Sequence, residues 1–485
     1  MKILNKMCIF FSDTYKYGMT FLGFSVLLFL TILNMTNTCF LNTGEHVFIT
    51  RDSLILNLLM IVLITTIFSS AWDQKAVQKF IQKIESDDKL FIKIRRILLS
   101  VILALSVIWI LITQVKPGAD QEFIQDAVLA IKEKNFSYFQ LNGYISKYPN
   151  QIGFFTISYL YSMIFGDNNY IGFQLINALC VTYTYKVFAD IQENLGFKRI
   201  HQLLMTLIGI LFLPLIFYST FIYGTLPGLM LSLIAIKREI MYFHDYKIKN
   251  IIICALTIAL SIMCKNNYLI VFIAVLLYAV VEIIAQQLWK KAWVFILFAS
   301  FFYIQATVPT MYLEHVTDTK LNSGITSWAW VAMGLQESPL TCGWYNGYNE
   351  ITYLQAKSDP DKQKEISKEA INASIQKFKD DKEYAKNFFA KKYSSMWSEP
   401  SYESIWITQI RLSNIETSTL AWKLLSISGS HPIILFLNFF QTFILFGSLL
   451  YFALCRNNAC YRQSLIFIMT FIGGFIFHTV WEAKG

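Results

Sequence analysis

Charged side chains are scarce in this sequence. Asp, Glu, Lys and Arg together make up 15% of its 485 residues, whereas soluble domains carry about 25%. Apolar residues account for 55%, and the mean hydropathy is +0.46. This composition excludes an ordinary water-soluble protein and indicates an integral membrane protein. The formal net charge of +9 does not predict nucleic-acid binding, because the basic residues lie in short loops between apolar segments, where membrane proteins concentrate them.

The sequence also lacks the patterns of disulfide frameworks, metal centres and ion-coupled transporters. Its eight cysteines are scattered, without the spacing of metal ligands or disulfides. The apolar segments hold almost no ionisable residues, which proton relays require; Glu282 and Lys186 are expected to extend to the cytoplasmic surface. No internal repeat is visible, and Pro214, Pro227 and Gly228 interrupt apolar segments in one half only. Many secondary transporters have paired halves, so these absences argue against a transporter.

Long apolar runs are what the sequence has instead. They predict an all-α polytopic membrane protein with about 11 transmembrane helices. A further run, 152–165, is too short to cross, since a span needs about 20 residues, and it is expected to lie in the outer interface. The eleven predicted spans cover residues 20–40, 53–71, 97–115, 170–189, 203–218, 221–236, 248–264, 268–284, 293–308, 433–455 and 465–481.

Loop charges predict how the chain crosses the membrane. Residues 73–96 are rich in Lys and Arg, which places this loop and the N-terminus in the cytoplasm. The third span then delivers loop 116–169 to the outside, and the later Lys/Arg pairs all fall inside. The expected parts are a two-span extension (1–96), a transmembrane core (97–308), a small, mainly helical extracytoplasmic domain (309–430) and the C-terminal spans (431–485).

Acidic residues cluster in the first outer loop. Asp120 follows Pro117-Gly118-Ala119 directly, and Glu122 and Asp126 come shortly after it. A carboxylate at this position can act as a general base on a lipid-linked substrate. Alternatively, Asp120 caps the helix that follows, because Asp readily accepts the free amide hydrogens at a helix start. One residue can do both.

Several short motifs stand in a recognisable order along the chain. They are Gly118-Ala119-Asp120, Tyr148-Pro149-Asn150, Leu195-Gly196-Phe197-Lys198-Arg199, Cys264-Lys265-Asn266-Asn267-Tyr268 and Glu482-Ala483-Lys484-Gly485. Their order, from about residue 97 to the end, resembles the GT-C glycosyltransferases, and within them the dolichyl-phosphate-mannose protein mannosyltransferase group (glycosyltransferase family 39) and its bacterial relatives. The chain departs from that pattern in two places: Gln121 separates two acids that are adjacent in some members, and members usually continue beyond the terminal lysine with a further span.

The resemblance implies an inverting transfer of a sugar from a polyprenyl-phosphate donor to an acceptor outside the cytoplasm. The acceptor would be a cell-wall glycan, a lipid or a protein, and the enzyme would lie in the plasma membrane. Asp120 would be the general base. A divalent cation at the acidic loop is not favoured, because related enzymes generally need none. The resemblance implies Lys265, Lys484 and His478 as donor-phosphate ligands, and Glu122, Glu399, Tyr148, Trp344 and Trp397 as second-carboxylate or acceptor-contact candidates.

Each of these assignments has a structural alternative. Lys265 could simply extend to the headgroup region, and His478 could be a hydrogen-bonded histidine near the end of a span. The tryptophans could form the aromatic belt that membrane proteins have at the interface.

Two other functions remain open from the sequence. A lipid-linked polysaccharide polymerase or ligase also has many spans and a large outer loop. Such enzymes usually place basic and His residues in that loop, whereas here it holds a single arginine, Arg411, with His315 and His431 at its margins. A transporter or flippase is the third alternative.

Overall fold

The computed structural model of this protein describes residues 2–321, 323–412, 419–455 and 461–483. Helices dominate the described chain, and one hairpin of strands β1 (Asn37–Leu41) and β2 (Val47–Arg51) joins the first two long helices. The helices are α1 (Lys2–Thr36), α2 (Leu54–Trp72), α3 (Lys75–Ser86), α4 (Asp88–Thr113), α5 (Asp120–Lys132), α6 (Tyr144–Lys147), α7 (Ile152–Phe165), α8 (Tyr170–Asn194), α9 (Arg199–Leu211), α10 (Leu213–Phe217), α11 (Thr225–Asp245), α12 (Ile248–Cys264), α13 (Leu269–Ala285), α14 (Val294–Thr317), α15 (Ser327–Gly334), α16 (Tyr348–Gln355), α17 (Pro360–Asp380), α18 (Lys382–Trp397), α19 (Ser404–Leu412), α20 (Thr419–Leu425), α21 (Ile427–Leu454) and α22 (Tyr461–Val480).

Seven of the described helices are long and apolar enough to cross a membrane: α1, α2, α4, α13, α14, α21 and α22. An eighth crossing is formed if α9 and α10 count as one span, bent by 59° at their junction. Helix α12 is apolar but shorter. The protein is therefore a helical, multi-pass membrane protein, as its composition predicted. Each of the eleven predicted spans falls mainly on a helix of the structure. Nine correspond to the helices just named, with α9 and α10 taken together, and the other two correspond to α8 and α11.

The first predicted span was too long at its C-terminal end. Helix α1 ends at Thr36, and the next five residues form β1, which pairs antiparallel with β2 in the register Cys39 to Ile49. The side chain of Asn42 accepts hydrogen bonds from the amides of Gly44 and His46 and closes the turn. The Cys39 amide donates to a carbonyl at the end of α18 at 2.8 Å, so the hairpin docks on the hydrophilic segment.

Small residues let the central helices approach closely. A Cβ on Gly224 would lie 1.8 Å from the carbonyl oxygen of Cys264, and one on Gly228 would lie 2.1 Å from the Tyr268 ring. The Ser261 hydroxyl donates to the Gly228 carbonyl at 2.7 Å. Small side chains and interhelical hydrogen bonds are how helices associate in a bilayer, where lipid offers no hydrophobic driving force. These contacts bring the start of α11 against the end of α12.

Buried carboxylates correct one expectation. Glu282 does not extend to the surface: it is 1% exposed, and the Nε and Nη2 atoms of Arg462 each lie 3.0 Å from its oxygens. Glu239, near the end of α11, is also fully buried, and neither of its carboxylate oxygens has a hydrogen-bond partner among the described residues. The sequence analysis did not single out Glu239, which directly follows Lys237 and Arg238, the basic residues that mark the end of a span.

The described part of the hydrophilic segment folds as helices α15 to α20, and its predicted start lies inside a helix. Helix α14 continues through Pro309 to Thr317 rather than ending at residue 308. Helix α17 begins as its sequence indicates, with Asp359 accepting hydrogen bonds from the amides of Asp361 and Lys362 and Pro360 in the first turn. The described part of 309–430 contains no strand.

Candidate functional site

A cavity of about 1770 Å³ opens between loop 116–169, the hydrophilic segment and the helix bundle. Part of its lining is apolar and comes from well inside the helices, including Tyr185 of α8, Phe302 of α14 and Leu445 of α21. Tyr185 lies roughly 22 Å along α8 from the first residue of that helix, at 1.5 Å per residue. The part beside Asp120 and Lys265 is lined by charged, polar and aromatic side chains. The cavity therefore suits a ligand with a long apolar portion and a polar head.

Asp120 lies at the polar end of this cavity and does not cap its helix. The N-cap of α5 is Ala119, which makes no side-chain capping bond, and Asp120 is the first helical residue. The capping interpretation is therefore wrong. Ala119 has φ 52°, a strained conformation for a non-glycine residue of the kind often found at functional sites. The Asp120 carboxylate is exposed and lines the cavity.

Neighbouring side chains hold the Asp120 loop in place. The Tyr144 hydroxyl hydrogen-bonds to the Asp120 carboxylate, and burial together with that negative charge raises the pKa of Tyr144. Buried Gln121 accepts a hydrogen bond from the Ile222 amide at 2.8 Å and donates to the Gly118 carbonyl at 3.2 Å. The loop is thus tied to the segment that precedes α11.

Helix α8 fixes that same segment from the other side. Gln174 donates to the carbonyls of Val115 at 2.9 Å and Thr220 at 3.1 Å. Asn177 donates to the Phe221 carbonyl at 2.8 Å. Both side chains are fully buried. Polar residues inside the bundle therefore satisfy backbone groups of the loops at this end of the helices and set the position of the cavity wall.

Lys265 and His478 join Asp120 on the cavity surface. Lys265 occupies the turn between α12 and α13, and its Nζ lies 5.7 Å from the centre of the Tyr223 ring. His478 lies in the last turn of α22, close enough to Lys265 for their charges to interact. Burial, followed by the nearby Asp120 charge, raises the pKa of Tyr223, so Tyr223 lies near both the carboxylate and the lysine. Lys484 is outside the described residues.

A buried lysine that the sequence analysis did not single out positions the end of α22. Lys392 of α18 is fully buried, and its Nζ donates to the carbonyls of Gly334 at 2.6 Å, Thr479 at 3.1 Å and Trp481 at 2.8 Å. Cations are favourable at a helix C-terminus, where carbonyls are unpaired. Lys392 thus joins α18 to the helix that carries His478.

The other predicted site residues do not line the cavity. Glu122 is exposed, and Tyr148 donates its hydroxyl to Glu350, although its ring contacts the cavity-lining Trp330. Trp344 is buried and donates its Nε1 to Ser395 at 2.8 Å. Trp397 packs against α22, with its ring 5.8 Å from that of Phe471. In the structure, Trp344 and Trp397 therefore make packing contacts and do not line the cavity.

Glu399 stabilises a turn beside the cavity. Its two carboxylate oxygens accept hydrogen bonds from the amide and hydroxyl of Ser401 and from the Glu403 amide, at 2.6 to 3.2 Å. Burial raises the pKa of Glu399 to about 7. Glu403 itself lines the cavity, so Glu399 acts on the site through the backbone it holds.

Arg411 is the cavity residue that sequence reasoning missed. Arg411 is only 5% exposed, yet it lines the cavity. None of its three guanidinium nitrogens has a hydrogen-bond partner among the described residues. The guanidinium lies 5.3 Å from the centre of the Phe221 ring, and its Nε would be 3.6 Å from a Cβ on Gly118. Burial lowers the pKa of Arg411 to about 9, which leaves it charged at neutral pH. One signal was available: it is the single arginine in 309–430.

Among the described residues, no group of three or more His, Cys, Asp or Glu side chains is placed to hold a metal ion. Comparisons with protein-family models, with curated protein sequences and with solved structures gave no match to this chain.

Proposed function

We propose that this protein is a membrane glycosyltransferase of the GT-C type, which moves a sugar from a polyprenyl-phosphate donor to an acceptor outside the cytoplasm. One observation carries the proposal: a single cavity combines the exposed carboxylate of Asp120, the cation of Lys265 and a deep apolar section. The apolar section fits the isoprenoid chain and the polar end fits the phosphate and sugar.

The chemistry follows from charge placement. Asp120 takes the proton of an acceptor hydroxyl as its oxygen attacks the anomeric carbon, and the bond from that carbon to the phosphate oxygen breaks. The lipid phosphate leaves with the bonding electrons, and the configuration of the sugar is inverted. Fixed cations stabilise the negative charge that grows on the leaving phosphate; Lys265 has that role, with His478 beside it. Tyr144 orients the base through its hydrogen bond to Asp120.

The proposal requires the cavity to open on the extracytoplasmic side of the plasma membrane. Eleven spans, with the N-terminus in the cytoplasm, place α3 inside and α17 outside. We expect a cysteine introduced at Lys379 of α17, which is exposed, to react with a membrane-impermeant maleimide in intact cells. A cysteine at Lys79 of α3, also exposed, should react only after permeabilisation. The unsubstituted chain provides the background, and labelling in the reverse pattern would contradict this orientation.

The direct test supplies the purified protein in lipid vesicles with a labelled polyprenyl-phosphate sugar and a membrane extract as the acceptor source. We expect release of polyprenyl phosphate in step with label appearing in a larger product. Hydrolysis without a labelled product would point to a missing acceptor. The absence of any release from a panel of polyprenyl-phosphate sugars would rule the proposal out.

A transporter or flippase is the second candidate, and one observation favours it. Glu239 is a buried carboxylate without a hydrogen-bond partner among the described residues, and it lies close enough to Glu282 for their charges to interact. Intramembrane carboxylates of this kind can carry protons. If activity of the protein proves to depend on a proton gradient and to be lost in Glu239→Gln but not in Asp120→Asn, this alternative is correct.

A further inference from the structure

A charged guanidinium without a partner is expensive inside a protein. Moving a cation out of water costs several kcal/mol unless an anion or several hydrogen bonds compensate. At Arg411 the described neighbours supply the Phe221 ring at 5.3 Å, but no carboxylate among the described residues lies within salt-bridge distance. A cation–π contact returns only part of that cost.

The position of Arg411 indicates what completes it. The side chain lines the cavity beside Gly118, two residues before Asp120: its Nε would lie 3.6 Å from a Cβ at Gly118. Its neighbour Phe221 lies 5.4 Å, between ring centres, from Tyr223, and Tyr223 in turn carries Lys265 above its ring. Arg411 and Lys265 therefore flank one pair of aromatic rings, with Asp120 beside them. Two cations at the mouth of an apolar cavity create a field that attracts an anion.

We propose that Arg411 binds an oxoanion of the phosphate class that is carried by the ligand of this cavity. The planar guanidinium presents parallel N–H groups that match two oxygens of a phosphate, which an ammonium group does not. The inference rests on the proposed function only for the origin of the phosphate, because a lipid-linked phosphate and a water-soluble phosphate would both satisfy the guanidinium.

Stability without ligand separates a binding role from a structural one. Arg411→Met keeps most of the side-chain volume and removes the unpaired buried charge. We expect this variant to melt at a higher temperature than the wild type in detergent without ligand, because a residue kept for binding often lowers stability. Lys379→Met removes the same charge from an exposed site outside the cavity and should melt as the wild type does. A lower melting temperature for Arg411→Met would show that the guanidinium stabilises the fold and would overturn the inference.

Binding supplies the second measurement, with polyprenyl phosphate, polyprenol and inorganic phosphate as probes. We expect Arg411→Met to weaken polyprenyl phosphate binding about ten- to a hundredfold, the equivalent of charged hydrogen bonds lost. The affinity of Arg411→Lys for polyprenyl phosphate should lie between those of the wild type and Arg411→Met. Polyprenol lacks the anion and should bind the wild type and Arg411→Met equally. Equal affinity of the wild type and Arg411→Met for every phosphate probe would overturn the inference.

The probes also identify the source of the anion. Arg411-dependent stabilisation by polyprenyl phosphate alone assigns the site to the lipid, and the same effect from inorganic phosphate assigns it to a soluble phosphate group. If sugar transfer fails while phosphate binding still depends on Arg411, the glycosyltransferase proposal is wrong and the phosphate site at Arg411 stands. Normal transfer with unchanged phosphate binding in Arg411→Met would keep the enzyme and remove the site.

Discussion

Asp120→Asn is expected to lower the rate of sugar transfer about a hundred- to ten-thousandfold, the usual contribution of a general base. The substitution is nearly isosteric, and the amide oxygen can still accept the hydrogen bond from Tyr144. Because Asp120 makes no capping bond and is exposed to the cavity, the folded structure does not depend on its charge. The rate of polyprenyl phosphate release in a single turnover measures the chemical step directly.

Glu122→Gln is the matched control for this experiment. Glu122 lies in the same first turn of α5 and is exposed, but it does not line the cavity. Its neutralisation removes the same charge near the helix start, so a general effect on the helix dipole would appear in both variants. We expect transfer by Glu122→Gln to remain within about twofold of the wild type. A wild-type rate in Asp120→Asn, or equal losses in both variants, would remove Asp120 from the role of base.

The helices were predictable because the lipid environment imposes one dominant rule. Backbone groups must be satisfied within each span, so apolar runs become helices, and α7 has the bounds 152–165 that the sequence predicted. The β-hairpin could not be predicted this way. Strand β1 begins at Asn37 and Thr38, and its later residues Cys39, Phe40 and Leu41 extend the apolar run of α1. No Gly or Pro separates the helix from the strand.

Order along the chain predicted two residues that line the same cavity, Asp120 at the start of α5 and Lys265 in the turn between α12 and α13. Arg411 gave no such signal, because whether an arginine is solvated or buried without a partner depends on tertiary packing. Trp344, by contrast, was predicted at the site and is buried in the core. Aromatic residues suit a cleft and a core equally well, and the hydrogen bond to Ser395 places this one in the core.

Gly224→Ala is expected to have the largest effect on the fold and on ligand binding together. The backbone at Gly224 has φ −70° and ψ 2°, which alanine adopts without strain, so conformational freedom is not what requires glycine here. Glycine is required here because space is lacking: an added Cβ would lie 1.8 Å from the Cys264 carbonyl oxygen and 2.4 Å from its carbonyl carbon. Backbone atoms cannot move aside as a flexible side chain can. The start of α11 and the end of α12 must therefore separate.

That separation should reach the site, because Lys265 directly follows Cys264, and Tyr223 directly precedes Gly224. Overpacking typically costs 1–3 kcal/mol or more, and we expect Gly224→Ala to lower the melting temperature by roughly 5 °C or more and to abolish detectable polyprenyl phosphate binding. Gly447→Ala is the matched control, since a Cβ at that helical position meets nothing within 4 Å. If Gly224→Ala melted and bound ligand as Gly447→Ala does, the close approach of α11 and α12 would not be what holds Tyr223 and Lys265 together at the cavity.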